Sequence, residues 1–399
     1  MRFATWAKRI SLRRTSNIYG ALYRKRSARS SFEICGMRQS GCIQPFVSWL
    51  ATKVSKMRLA FLQLPVSERA LYFEQTALRR SLHPAIMEKD FWVCWLLSVL
   101  FAEPEFNQAL VFKGGTSLSK VFGVIQRFSE DIDLSLSPAY LGVPEDEEKV
   151  ITSRTKRDAW MERLQKVCET ADRIQPAIER KVCDLLGTAP RDGTWTEFLL
   201  DPETQSPVIL FHYPVTQASG FAYLLRNVKM EFCSLTDQRP VDTRRIRPWI
   251  ADELENSFQD WKCEVIALEL DRSYWEKATI LHAEHHRAAE SRMPVRFSRH
   301  YADMAALARH SESRFAVDRH DVRERVVAWK DRFFARKWAR YDLAKPGTFR
   351  LIPPTGRIAE LRGDYSAMRD MYMVDPLPFD DVLATLADLE ATINGVATT

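Results

Sequence analysis

From Phe128 to Leu136 the chain alternates. Phe128, Ile132, Leu134 and Leu136 take one side of the period, and Ser129, Asp131, Asp133 and Ser135 the other. A repeat of two is that of a half-buried strand. Just upstream, Leu118, Val121, Phe122 and Ile125 recur at i, i+3, i+4 and i+7, the stripe of a short helix packed on a sheet. That helix begins after Gly114-Gly115, and Ala109 to Phe112 before it reads as a strand. Two helices are expected earlier, Val66 to about Leu82 and Pro84 to Ala102, the second wedged by Phe91, Trp92, Trp95 and Leu96. Downstream, Pro138 to Glu148 reads as a polar loop, Ser153 to Leu186 as one long charged helix, and Gly187 to Pro207 as turns. Val208 to Val215 and Phe221 to Leu235 read as strands, joined by a hairpin signal at Thr216 to Gly220, and Val265 to Leu268 as a last strand. From Asp271 onward the pattern is helical: a stretch with Trp275, Ile280 and Leu281, then Arg296 to His310, Val317 to Ala335, Tyr365 to Met373, and Phe379 to Ile393. In the last, Phe379, Val382, Leu383, Leu386, Leu389 and Ile393 form a stripe. The order predicts an α+β architecture, with a sheet-bearing lobe over 57–270 and a mainly helical lobe over 271–399.

Composition changes this picture at one end. A length of 399 residues and a hydrophobic content of 46% suit a large globular core. The net charge of +6 is unevenly spread: residues 1–56 hold 12 Lys and Arg against the single acid Glu33, which leaves 57–399 at −5. Rich in Arg and Ser and without a sustained period, the segment 1–56 has the make-up of a transit peptide, of a basic nucleic-acid arm, or of an upstream extension. The third reading is preferred, with the working protein beginning near Met57, and deletion of residues 2–56 is expected to leave activity intact. Seven cysteines, at 35, 42, 94, 168, 183, 233 and 263, are odd in number and lack Cys-x-x-Cys spacing, so a reduced cytoplasm without structural zinc is expected. Phe91 to Ala102, the most apolar run, falls short of the ~20 residues that span a bilayer. His282, His285 and His286 have no completing carboxylate or cysteine pattern and read as a solvated or partly packed helix face.

The chemistry concentrates between Lys113 and Leu134. Asp131 and Asp133 share a strand face with backbones roughly 7 Å apart, so their carboxylates can converge. Two anions so placed repel unless cations stand between them. Hard divalent ions held by a few carboxylates and by substrate phosphates meet that need. Gly114 and Gly115 let the chain turn without a Cβ clash and free the first amides of the following helix for an anion. The run is not a Walker loop, since Gly-Gly-Thr-Ser-Leu-Ser-Lys lacks the four-residue spacer, and it is not a dinucleotide fingerprint. A strand, glycine turn, helix and acidic strand together outline a site for a triphosphate and a metal.

Lys113-Gly-Gly-Thr-Ser-Leu-Ser-Lys120 with Arg127-Phe-Ser-Glu-Asp-Ile-Asp-Leu134 resembles the nucleotidyltransferase toxins of the AbiEii/AbiGii group, to which the mycobacterial MenT toxins belong. Glu88-Lys89-Asp90-Phe91-Trp92, Val228 to Phe232, Tyr274 to Lys277, Arg299 to Asp303 and Asp364 to Met368 also look like family motifs. The likeness runs from about Met57 to the C-terminus. It implies a nucleotidyltransferase fold of the DNA polymerase beta type, with a small mixed sheet flanked by helices. It also implies a cytoplasmic toxin controlled by a separate antitoxin protein, with an NTP as substrate and the 3′ end of a tRNA as acceptor, so that translation stops. Such transferases often carry Gly-Ser at the turn where this chain has Gly114-Gly115-Thr116-Ser117.

The expected roles follow. Asp131 and Asp133 hold Mg²⁺, with Mn²⁺ able to take its place. Glu231, which shares a strand face with Lys229, is the third ligand or a base toward the attacking hydroxyl; its bland alternative is a cross-strand ion pair. Gly114, Gly115, Thr116, Ser117 and Lys120 hold phosphates, helped by Lys229 and Lys277, and the resemblance adds Asp303 to the active site. Arg127 is assigned less firmly, with a pairing to Glu130 as its other reading. Arg239, Arg244, Arg245 and Arg247, and separately Arg287, Arg292, Arg296 and Arg299, form basic clusters suited to RNA or to a solvated face. Two other functions stay open: the same chemistry on a protein hydroxyl or small molecule, and a non-catalytic binding module that keeps the fold.

Overall fold

In the computed structural model the first complete helices among the described residues are α1 (Val66–Arg80) and α2 (Pro84–Ala102). Pro84 suits the first turn of α2 because no N–H is needed there, and His83 Nδ1 accepts the Ala85 N–H at 3.2 Å. Apolar on nearly all sides from Phe91 onward, α2 is buried on all sides. The structure describes residues 61–395 except 106, 141, 144–152, 170, 188, 190–192, 202–205, 217–224, 234, 259–260 and 335. The basic segment 1–56 and most of the hairpin signal at 216–220 therefore lie outside the described residues.

The chain continues as β1 (Leu110–Lys113), α3 (Gly114–Lys120), β2 (Ile132–Leu136), α4 (Arg154–Glu169), α5 (Ala171–Leu186), β3 (Thr196–Leu200), β4 (Pro207–Phe211), β5 (Val228–Cys233), β6 (Val241–Ile246) and β7 (Cys263–Leu268). Two short helical segments, Trp249–Glu253 and Glu255–Phe258, lie between β6 and β7. Helices complete it: α6 (Leu270–His285), α7 (Ser298–Arg309), α8 (His320–Phe333), α9 (Ile358–Ala367) and α10 (Phe379–Ile393). The seven strands form one mixed sheet in the order β3-β4-β5-β2-β1-β7-β6. The pairs β1–β7 and β2–β5 are parallel, and the others are antiparallel.

Several boundaries differ from the pattern-based expectation. The helix after the glycines ends at Lys120, because Gly123 sits at φ +64° and the chain turns there. Leu118, Phe122 and Ile125 are nevertheless buried, so the stripe marked packing correctly and helix length wrongly. The charged stretch 153–186 is two helices, and no Gly or Pro marks the junction. β3 and β6 were not anticipated: both are edge strands, and β6 reads Val-Asp-Thr-Arg-Arg-Ile, with charges where an inner strand would be apolar. Tyr365 to Met373 resolves into the end of α9 and a 3₁₀ turn, Arg369–Met371.

Two apolar cores result. One packs α1, α2 and α5 on a face of the sheet, joining Phe91, Trp92 and Trp95 to Phe112, Phe211 and Met230, with Trp95 stacked on Phe211 at 5.5 Å. The other gathers Leu118 and Ile125 with Trp275, Tyr301, Phe349 and the stripe of α10. The sheet face turned away from the first core is left for chemistry.

Candidate active site

Strand register builds the centre of the site. β1 pairs Lys113 with Asp133, and β2 pairs Asp133 with Glu231. Neighbouring strands are ~4.8 Å apart, so these three side chains stand in one row. The row before it pairs Phe112 with Leu134 and Leu134 with Phe232, and all three are buried in the first core. Period two therefore fixes the opposite face for Lys113, Asp133 and Glu231.

That face forms part of a cavity of about 490 Å³, which lies within the ~300–1,000 Å³ of small-ligand pockets. Asp131, Asp133 and Glu231 line it, with Gly114, Gly115 and Ser129 beside them. Lys113, Arg127, Lys277, Arg299 and Lys330 contribute cations. Leu268, Ile280, Trp329, Phe334 and Tyr341 form an apolar and aromatic part of the wall.

The carboxylates are crowded. Burial, then the charges of Glu130, Asp133 and Glu231, push Asp131 up to about 6. Burial also raises Asp133, with Lys113 opposing and Glu231 adding to the rise. Burial works against the Lys113 ammonium, yet Asp133 and the other nearby anions more than offset it and raise its pKa. Gly114 is what lets the turn approach so closely: it adopts φ +79°, and a Cβ there would lie 1.9 Å from Asp133 Oδ2.

Behind the wall, Asp303 organises two of the cations. Its oxygens accept from Arg127 Nε and Nη2 at 2.8 Å each and from Lys277 Nζ at 2.8 Å. Burial alone would raise this carboxyl, but the two cations hold it far below the usual range. Lys277 also contacts His300 Nδ1 at 3.2 Å. Burial, then Lys277 and Arg299, keep His300 neutral by holding its pKa well below the ordinary value. Glu276, another wall residue, is paired with Arg272 at 2.6 Å and Lys330 at 3.0 Å.

Among the described residues no three His, Cys, Asp or Glu side chains stand together as a complete ligand set. The donors present are oxygen only, two destabilised carboxylates on one cavity wall with Glu231 beside Asp133 on the neighbouring strand. This suits a hard cation that brings its remaining ligands as water and substrate phosphates rather than one caged by protein.

The family description "Nucleotidyl transferase AbiEii toxin, Type IV TA system" matches residues 95–385. The chain belongs to the AbiEii nucleotidyltransferase toxin family. It is also similar to the solved MenT4 nucleotidyltransferase toxin from Mycobacterium tuberculosis H37Rv, at 16% identity and a TM-score of 0.32, over 77% of this chain and 99% of that one. No curated protein matches it. Among the described residues of this AbiEii nucleotidyltransferase, no helix is long and apolar enough to cross a membrane.

Of the residues expected from sequence, the enzyme brings Asp131, Asp133, Glu231, Gly114, Gly115 and Lys277 to one cavity. Thr116 and Ser117 are buried behind it, and the Thr116 hydroxyl donates to the Asp131 carbonyl. Lys120 stands elsewhere: its ammonium meets Asp90 at 2.6 Å and lies over the Trp249 ring, a buried pair rather than a phosphate ligand. Lys229 is off the wall as well, paired with Asp201 at 2.9 Å and Glu231 at 2.5 Å along its own strand. Arg127 pairs with Asp303, while Glu130 pairs with Lys89. His282, expected on a solvated or partly packed face, is fully buried, and the described cysteines 94, 183, 233 and 263 are free thiols. Lys113, Arg299, His300 and Lys330 were missed as wall residues. Lys113 had a signal, since a residue next to core-facing Phe112 must face the other way. The rest depend on contacts that no local pattern encodes.

Proposed function

We propose that this nucleotidyltransferase uses the cavity to transfer a nucleoside monophosphate from an NTP to RNA, at the 3′ end of a tRNA, and thereby blocks translation. The observation that carries the reading is the facing of Asp131, Asp133 and Glu231 toward one cavity that also holds five cationic side chains. Cations of this kind, fixed before substrate arrives, suit a triphosphate whose charge shifts as the α-phosphorus bond to pyrophosphate breaks.

Asp131 and Asp133 would hold Mg²⁺, for which Mn²⁺ could substitute, and Glu231, paired with Lys229, would join them as third ligand on leaving that pair. Such an ion, when bound, offsets charge on the phosphate oxygens. Arg127 and Lys277, both fixed by Asp303, neutralise the departing pyrophosphate. α3 has only seven residues, so the side chains contribute more to phosphate binding than its dipole does. Lys113, adjacent to Asp133 in register, balances the acidic row before substrate binds. The acceptor hydroxyl gives its proton to a carboxylate of that row as its oxygen bonds to the α-phosphorus. The aromatic wall of Trp329, Phe334 and Tyr341 suits the sugar and base. A separate antitoxin and a cytoplasmic site of action complete the proposal.

The test is incubation of the purified chain with each labelled NTP, Mg²⁺ and total RNA, alongside Asp131→Ala. Label in tRNA that disappears in the variant supports the reading. Label in protein or in a small molecule instead moves the acceptor and refutes the RNA assignment.

A further inference from the structure

Three consecutive charges, Glu88, Lys89 and Asp90, are almost completely buried in the first turns of α2. Successive helix residues point about 100° apart, so the three reach different segments. Glu88 Oε1 accepts the Thr216 N–H at 2.7 Å. Asp90 accepts from Lys120 Nζ at 2.6 Å and from the Trp249 N–H at 2.7 Å. The Lys89 ammonium donates to the Glu130 carboxylate and to the Leu225 carbonyl, the latter at 2.9 Å.

The Lys89 partners are informative. Glu130 immediately precedes Asp131, and Leu225 lies three residues before β5, the strand of Glu231. β2 and β5 are parallel neighbours in register, so both partners sit where the chain enters the strands that carry the acidic row. A buried ammonium is costly unless paired and hydrogen-bonded, and both of its described partners lie on these two approaches.

We propose that Lys89 is a positioning residue for nucleotidyl transfer, a buried tie that sets the spacing between the segment bearing Asp131 and the strand bearing Glu231. It touches no substrate and acts through Glu130 and the Leu225 carbonyl. The inference rests on the proposed reading of Asp131, Asp133 and Glu231 as the catalytic centre.

Glu130 is the point at which to test it, because its side chain is 16% exposed against 2% for Lys89, so its truncation opens a smaller buried void, and Glu130→Gln keeps an acceptor for the ammonium. In full-length Glu130→Ala, kcat with total RNA and NTP falls by about 10- to 100-fold, while KM for NTP stays within about twofold. Amide exchange over residues 225–231 quickens by about tenfold although the substitution is far away in sequence. Glu130→Gln, which still accepts a hydrogen bond from Lys89, returns kcat to near the parent value. Parent-like kcat in Glu130→Ala, unchanged exchange at 225–231, or a Glu130→Gln variant as slow as Glu130→Ala each overturns the role of Lys89. Activity surviving in Asp131→Ala overturns the site and this inference with it. An inactive Asp131→Ala beside a fully active Glu130→Ala overturns the inference alone.

Discussion

Gly114→Ala separates two demands that the turn makes on the chain. The new Cβ would stand 1.9 Å from Asp133 Oδ2, 2.6 Å from Cγ and 2.9 Å from Cβ. Ordinary contact begins at about 3.4 Å, so the carboxylate oxygen must retreat by about 1.5 Å. Rotation of the Asp133 side chain cannot relieve the clash at its own Cβ, so β2 must shift as well. The positive φ adds about 1–2 kcal/mol for any L side chain, enough to lower Tm by roughly 1–3 °C in a chain of this size. A displacement of ~1 Å in a reacting group costs about 100-fold in rate, so kcat for label transfer from NTP to RNA should fall at least that far. Gly123→Ala is the control, since Gly123 also has positive φ (+64°) but its Cβ would meet nothing within 4 Å. It should lose Tm by the φ contribution alone, less than Gly114→Ala does, with kcat intact. If Gly114→Ala kept the kcat of Gly123→Ala, the claim that this glycine makes room for the Asp133 carboxylate would be refuted.

Other outcomes follow from the same geometry. Asp131→Asn should abolish transfer in the presence of Mg²⁺ yet raise Tm at pH 7.5 without divalent ions, because an anion whose pKa has risen from 3.8 to about 6 is disfavoured in the fold by up to roughly 3 kcal/mol; a lower Tm in calorimetry would contradict this. Asp303→Asn leaves Arg127 and Lys277 buried without their counter-charge, so denaturant unfolding should show a loss of about 3–5 kcal/mol, with a raised KM for NTP. His282 is pushed down to about 4, by burial first and then by the neighbouring histidines. Its neutral form donates from Nε2 to the Arg340 carbonyl at 3.0 Å and accepts the Arg350 N–H at Nδ1 at 3.1 Å. A depressed pKa gives stability that is complete above the ordinary value of 6.5 and is lost as pH falls through about 4. Unfolding free energy should therefore drop by roughly 3 kcal/mol across that window, and His282→Gln should flatten this slope.

What the sequence disclosed was local and periodic. The order β1, glycine turn, α3, β2 lies within 27 residues, and period two alone puts Asp131 and Asp133 on the face opposite Ile132 and Leu134. β5 was legible for the same reason, with Val228, Met230 and Phe232 in the core and Glu231 and Cys233 on the cavity side. α2 and α10 were found to the residue, because Pro84 at a first helical turn followed by the apolar run from Phe91, and an unbroken stripe after Pro378, mark their starts. β6 was hidden by its position. As an edge strand it carries Arg244 and Arg245, which read as a basic cluster until Asp242 and Glu264 are seen to pair with them.

The charged side chains were harder, since an ion pair is a relation between segments. Lys120 follows the glycine turn as a phosphate-binding lysine would, but its partner Asp90 lies 30 residues upstream, in a run that resembles a family motif without showing which side chain it pairs with. Asp303 and Arg127, 176 residues apart, make one unit that neither sequence context announces. The consequence for reading such sites is directional. Strand period assigns carboxylates to a face dependably, because a one-residue error would bury them in the core. It does not assign cations, whose long stems carry the charge away from the backbone that the pattern describes. The acidic row was therefore readable from sequence, and the cations that face it required the fold.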